Sequence, residues 1–185
     1  MVKRNKLHQS AKKGRDERQL SFAHISKRLE AYMQTRVYPS EIATTFNYIL
    51  YDEFSKKPHH GKRLKPVFVG QYMVDPKNPL QTRVFCHQGT EACSPIPIAR
   101  GVIGRAVRAR KDVYVPDVTK DKGHVGCDPD MQGSELVLVC LHEKTNVPLG
   151  ALDIDLNVKN AFSKKDIAAL KKIWGIYGKL IFPSK

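Results

Sequence analysis

The 185-residue sequence has no long apolar run. The longest uninterrupted one, Leu136 to Leu141, falls far short of a bilayer span, and no secretory apolar region follows the N-terminus. A cytoplasmic protein with no membrane role is therefore expected. There is no Cys-x-x-Cys pair, and four cysteines (Cys86, Cys93, Cys127, Cys140) do not suit a disulfide scaffold in a chain this large. Thiols in a reducing compartment are the expected state. A zinc site from His87, Cys93, His124 and Cys127 is the alternative, with spacings that match no common structural pattern. Acid is scarce as well: 18 Asp and Glu face 32 Lys and Arg, for a net charge of +14.

That excess is unevenly spread. Residues 1–40 hold ten Lys or Arg against Asp16, Glu17 and Glu30, so half of it lies in the first fifth of the chain. Residues 1–28 read as a basic, flexible arm, either a solvated tail or a contact for nucleic acid or an acidic partner. With Phe22 as its one Phe, Tyr or Trp, the arm has no interleaved aromatic platform to stack on bases, and Asp16 and Glu17 interrupt a transit-peptide pattern.

The remainder, residues 29–183, fits one α+β domain. The spacing predicts a helix over Leu20 to Met33 and a second over Glu41 to Ser55. Ser40 is its expected N-cap, and Ile42, Phe46, Ile49, Leu50 and Phe54 form its core-facing stripe. Lys56 to Lys65, with His59 and His60, reads as a basic exposed loop. Strands are expected at Pro66 to Val74, Thr82 to His87 and Val113 to Val115. A short helix near Val102 to Arg110 has an N-terminus that can face an anion. Ser163-Lys164-Lys165-Asp166 predicts a capping box opening a last helix. Its apolar stripe runs through Ile167, Leu170, Ile173, Trp174, Tyr177, Leu180 and Ile181.

The most informative stretch is Ser134 to Asp155. Alternation puts Glu135, Val137 and Val139 on one strand face and Leu136, Leu138 and Cys140 on the other. After a turn at Lys144 to Pro148, the returning strand carries Asp153 and Asp155 on one face and Leu152 and Ile154 on the opposite one. A hairpin centred near residue 145 sets Glu135 opposite Asp153 or Asp155, with facing Cβ atoms about 5 Å apart. Acidic residues are poor strand formers, and like charges so placed repel unless a cation sits between them. A ligand ammonium would serve; a solvated hairpin face is the plainer reading.

Several segments together resemble the GAF domain and, within it, the free methionine-(R)-sulfoxide reductases. They are Arg100-Gly101-Val102-Ile103-Gly104-Arg105-Ala106, Pro116-Asp117-Val118, Gly123-His124-Val125-Gly126-Cys127-Asp128, Ser134-Glu135-Leu136-Val137 and Leu149-Gly150-Ala151-Leu152-Asp153-Ile154-Asp155. The resemblance implies an antiparallel sheet of about six strands flanked by helices, a homodimer, and a pocket for one free amino acid. It implies that Cys127 is the catalytic thiol, Cys93 the resolving thiol, and Glu135, Asp153 and Asp155 the carboxylates that hold substrate, with Phe68 and Tyr72 lining the site. Where many members carry a third cysteine this chain has Ile103, and where the family has Trp in the first long strand it has Phe68.

The chemistry so implied is reduction of free methionine sulfoxide through a Cys127 sulfenic acid and a Cys93–Cys127 disulfide. A thioredoxin-like dithiol is the electron donor, and no cofactor or metal is required. His124, three residues before Cys127, can lower the thiol pKa or hydrogen-bond the loop. Cys140 is assigned to packing by parity, and Cys86 is structural or reactive. The competing reading is a non-catalytic GAF module that binds a small ligand and recruits a partner through the basic arm.

Overall fold

The computed structural model describes residues 22–56, 58–59, 62–63 and 67–183. Helices α1 (Phe22–Met33) and α2 (Pro39–Lys56) come first, followed by the two-residue strands β1 (Pro58–His59) and β2 (Lys62–Arg63), which pair antiparallel. The expected basic loop, with its paired histidines, lies largely outside the described residues. The main sheet contains β3 (Val67–Val74), β4 (Gln81–Gly89), β5 (Ile96–Pro97), β6 (Val113–Val115), β7 (Ser134–Leu141) and β8 (Pro148–Leu156). Helix α3 (Gly101–Ala109) lies between β5 and β6, and α4 (Lys164–Ile181) closes the chain. The sheet order is β5-β4-β3-β8-β7-β6, with every pairing antiparallel.

Strand alternation divides the core into two layers. Val67 and Val69 of β3, Leu136, Leu138 and Cys140 of β7, and Leu152, Ile154 and Leu156 of β8 pack against α1, α2 and α4. The expected stripe of α2 is buried there, and Phe46 lies 5.8 Å from Trp174 and 5.7 Å from Tyr177 between ring centroids. Trp174 is thus a packing residue. On the other sheet face Phe68, Tyr72, Val137 and Ala151 pack against Val102, Ile103, Ala106 and Val107 of α3. Because α3 is short, part of this face is covered only by loops, and that is where a ligand can reach the strands.

Three expectations need correction. Ser40 is not the cap of α2, because Pro39 begins the helix with a preset φ and no N–H to satisfy; Glu41 reaches back to accept from the Val37 and Tyr38 N–H groups at 3.3 Å. An arm ending at residue 28 would cut through α1. Ile25 is wholly buried, and Arg28 is bonded to Asp52 at 2.7 Å and Glu53 at 3.2 Å, so residues 22–28 belong to the domain; residues 1–21 lie outside the described residues. Leu180 is 48% exposed and shares the outer face of α4 with Ile176 instead of joining the apolar stripe. The capping box of α4 forms as expected, Asp166 accepting from Ser163 N at 2.7 Å and Ser163 Oγ from Asp166 N at 3.2 Å.

Two glycines respond in opposite directions. A Cβ on Gly133 would meet the Leu156 carbonyl oxygen and the Val158 nitrogen, backbone atoms that cannot swing aside. Gly133→Ala is expected to destabilise the chain by about 1–3 kcal/mol. Gly175, on the exposed side of α4, has nothing within 4 Å of such a Cβ. Gly175→Ala is expected to stabilise by about 0.5–1 kcal/mol through helix propensity. Denaturant unfolding of both variants checks the pair.

Candidate functional site

The register of the central hairpin decides the site. Glu135 lies directly opposite Asp155, while Asp153 lies opposite Val137, one diagonal step away. All three point to the α3 face, each offering a carboxylate oxygen within 4.8 Å of the others. Glu135 and Asp153 are buried, and the Oδ1 atoms of Asp153 and Asp155 are enclosed without a hydrogen-bond partner. No other group of three His, Cys, Asp or Glu side chains comes together in this way among the described residues. Such an arrangement would accept a small cation.

Burial pushes all three carboxyl groups up. Asp155 rises to about 7, moderated by His124. Glu135 and Asp153 lie well above the ordinary carboxylate range, first through burial and then through repulsion from Asp155. Glu135 and Asp153 also share a hydrogen bond that favours the proton on Asp153. Tyr72 is pushed up by burial and by the same three acids, so its hydroxyl remains a donor.

These groups line a cavity of about 30 Å³. Asp155 and Asp153 pair across to Phe68 and Gly70 on β3. The Phe68 ring lies over Gly70, where a Cβ would come within 2.5 Å of it, and stacks on His87 with centroids 5.7 Å apart. Gly70 therefore lets the ring lie flat and form the apolar wall beside the acids. The first turn of α3 supplies another wall with Gly101, Val102 and Ile103. Gly101 has φ +70°, which glycine adopts without strain, and N-cap Arg100 makes no side-chain hydrogen bond to the helix.

The remaining wall is the loop that carries Cys127. Cys127 lines the cavity and is disulfide-bonded to Cys93, with Cα atoms 5.6 Å apart. The two thiols of the zinc alternative are thus bonded to each other. The His124 side chain meets the acids in this form: its Nδ1 lies 3.0 Å from Glu135 Oε2. Cys140 is buried in the opposite layer, its thiol pushed up to about 11 by burial. Cys86, half-buried, has its sulfur 3.5 Å from Thr44 Oγ1, also away from the cavity. Of the residues singled out from the sequence, Cys127, Glu135, Asp153, Asp155, Phe68, Tyr72 and His124 line one cavity, with Cys93 joined to it by the disulfide.

Two features were missed. Met131 enters the cavity wall because Asp128 forms an Asx turn, its Oδ1 accepting from Asp130 N at 2.8 Å. Arg105 forms a forked ion pair with Asp121 at the base of the thiol loop. The Asp-x-Gly pattern of residues 121–123 signals a turn, but nothing local names its cationic partner.

The buried acids give stability a definite pH dependence. Their folded-state pKa values are raised, so the folded chain holds protons that the unfolded chain loses near its ordinary 3.8–4.5. That contribution is present below about pH 4 and is lost as pH rises through about 7, the Asp155 value. Asp153→Asn is expected to leave thermal stability unchanged near pH 4 and to raise it at pH 8 by about 1–3 kcal/mol, equivalent to several degrees. Thermal unfolding at both pH values checks this.

No protein-family model matches the chain. It is 40% identical over 106 residues to GAF domain-containing protein A of Dictyostelium discoideum, covering 57% of this chain and 64% of that protein. It is 37% identical over 86 residues to the free methionine-R-sulfoxide reductase of Escherichia coli, covering 46% of this chain and 50% of that protein. The chain thus spans between half and two thirds of the length of these curated relatives. The reduced form of the Staphylococcus aureus fRMsr superposes with a TM-score of 0.71 at 26% identity, over 87% of this chain and 95% of that one. The antiparallel sheet and these likenesses give the chain a GAF-domain fold, similar to that of the free methionine-R-sulfoxide reductases.

Proposed function

We propose that this protein reduces free L-methionine-(R)-sulfoxide to methionine at the expense of thiols. The observation that carries the reading is the placement of Cys127, already bonded to Cys93, on the same cavity as the buried Glu135 and Asp153 and the half-buried Asp155. Glu135 and Asp155, when ionised, take the ammonium of a free amino acid; the uncharged amide of a peptide residue offers them nothing. The N–H groups of the first turn of α3, which no side chain caps, supply the opposite pole for the α-carboxylate. Phe68 faces the methyl sulfoxide as an apolar wall.

In the reaction the Cys127 thiolate attacks the sulfoxide sulfur while Asp153, the protonated member of its hydrogen-bonded pair, gives its proton to the oxygen. The S–O bond breaks, hydroxyl passes to the Cys127 sulfur, and methionine leaves reduced by two electrons. Cys93 then displaces water from the sulfenic acid and forms the disulfide. An external dithiol of the thioredoxin type returns both thiols and is itself oxidised to a disulfide. In the disulfide-bonded form the cavity, about 30 Å³, holds little more than water, so substrate enters after reduction. The homodimer that goes with this family can use the exposed Ile176 and Leu180 of α4.

Cys127→Ser is expected to abolish turnover of free methionine-R-sulfoxide with dithiothreitol. Cys93→Ser should complete about one equivalent under single-turnover conditions and then stall with thioredoxin. Cys140→Ser should keep most of the activity. A wild-type protein that binds methionine but turns over no sulfoxide would instead support a ligand-binding GAF module.

A further inference from the structure

Arg105 and Asp121 stand outside the cavity lining and have no part in the chemistry above. The Arg105 guanidinium donates to both Asp121 oxygens, Nη1 to Oδ1 at 2.7 Å and Nη2 to Oδ2. Asp121 is also the acceptor for two N–H groups of the thiol loop, its Oδ1 for Gly123 at 2.9 Å and its carbonyl oxygen for His124 at 3.1 Å. His124 then meets Glu135 on β7. A continuous series of bonds therefore joins α3, the loop and the strand that carries the first carboxylate.

The pair is more than a surface contact. Its side chains are only 32% and 15% exposed, and the forked geometry fixes direction as well as distance. Gly123 is part of the fit: a Cβ there would sit 2.8 Å from Arg105 Nη1. We infer that Arg105 is a positioning residue which, through Asp121, holds the 123–127 loop so that His124 meets Glu135 and Cys127 faces the cavity. Its effect on turnover rests on the reductase reading; the bracing of the loop does not.

The groups that act on Glu135 and its neighbours are Arg105 from α3, Asp121 and His124 from the loop, Asp153 and Asp155 from β8, and Tyr72 from β3. Among these Arg105 is the fixed cation, and it favours the ionised carboxylate against burial and against Asp155 and Asp121. Removing it both releases the loop and makes Glu135 harder to ionise. Loss of the positive charge thus weakens ammonium binding most at low pH, a signature that general unfolding does not produce.

The test uses the full chain with Arg105→Gln, Asp121→Asn and Arg105→Lys. Amide hydrogen exchange at Gly123 and His124 is expected to accelerate about tenfold in the first two variants. For Arg105→Gln, KM for free methionine-R-sulfoxide at pH 7 should rise about tenfold with a smaller change in kcat, and the deficit should shrink toward about pH 9 as the carboxylates ionise. Arg105→Lys should restore the pH profile but not the exchange protection, because a point charge lacks the fork. Unchanged exchange in Arg105→Gln and Asp121→Asn overturns the inference. So does a loss of activity that is equal at every pH and follows a lowered unfolding temperature. If the wild type shows no reductase activity while exchange still responds, the reductase reading falls and the bracing stands.

Discussion

Three carboxylates held together in an apolar layer are the constraint around which this molecule is built. Like charges on neighbouring strands repel, and burial removes the water that would screen them. The chain accommodates this by keeping protons that a solvated carboxylate would lose, and by placing His124 against Glu135 with Arg105 beyond it. The site is therefore incomplete electrostatically. Its enclosed Oδ1 atoms on Asp153 and Asp155 have no hydrogen-bond partner within the protein. This is the reverse of a rigid core, where such groups would be replaced by apolar side chains of similar shape.

The sheet makes that arrangement tolerable. Its other face, with α1, α2 and α4, holds the larger apolar core, including the aromatic contacts of Phe46, Trp174 and Tyr177. The larger apolar core lies on one side and the acid-lined cavity on the other, with the same strands serving both through alternate residues. β7 and β8 show the division most clearly: Leu136, Leu138, Leu152 and Ile154 face the helices, while Glu135, Asp153 and Asp155 face α3. The sulfur that meets these acids, on Cys127, comes from a loop and not from either strand.

What could be read in advance follows the range of the interactions. Period-two alternation, the Ser163–Asp166 capping box and the turn near residue 145 are local, so the hairpin, its faces and the meeting of Glu135 with the aspartates could be read from the residues. Alternation alone left open which aspartate faces Glu135, since that depends on the turn, and the structure selects Asp155. The start of α2 was misplaced because Pro39 and Ser40 are both plausible openings, and the N–H partner found by Glu41 depends on how the preceding chain enters. Arg105 with Asp121 and His124 with Glu135 were not legible, because each pair joins elements whose approach is set by the whole fold. The pairing of Cys93 with Cys127 came from family likeness, not from their separation of 34 residues.

That disulfide also closes a covalent ring around α3, β6 and the braced loop. A ring of this size restricts the denatured ensemble by about 3–4 kcal/mol in a chain-entropy treatment. By that measure the reduced chain is the less durable of the two forms. Closing and opening that one bond would tighten and relax the thermodynamic hold on the entire domain, far from the two sulfurs themselves.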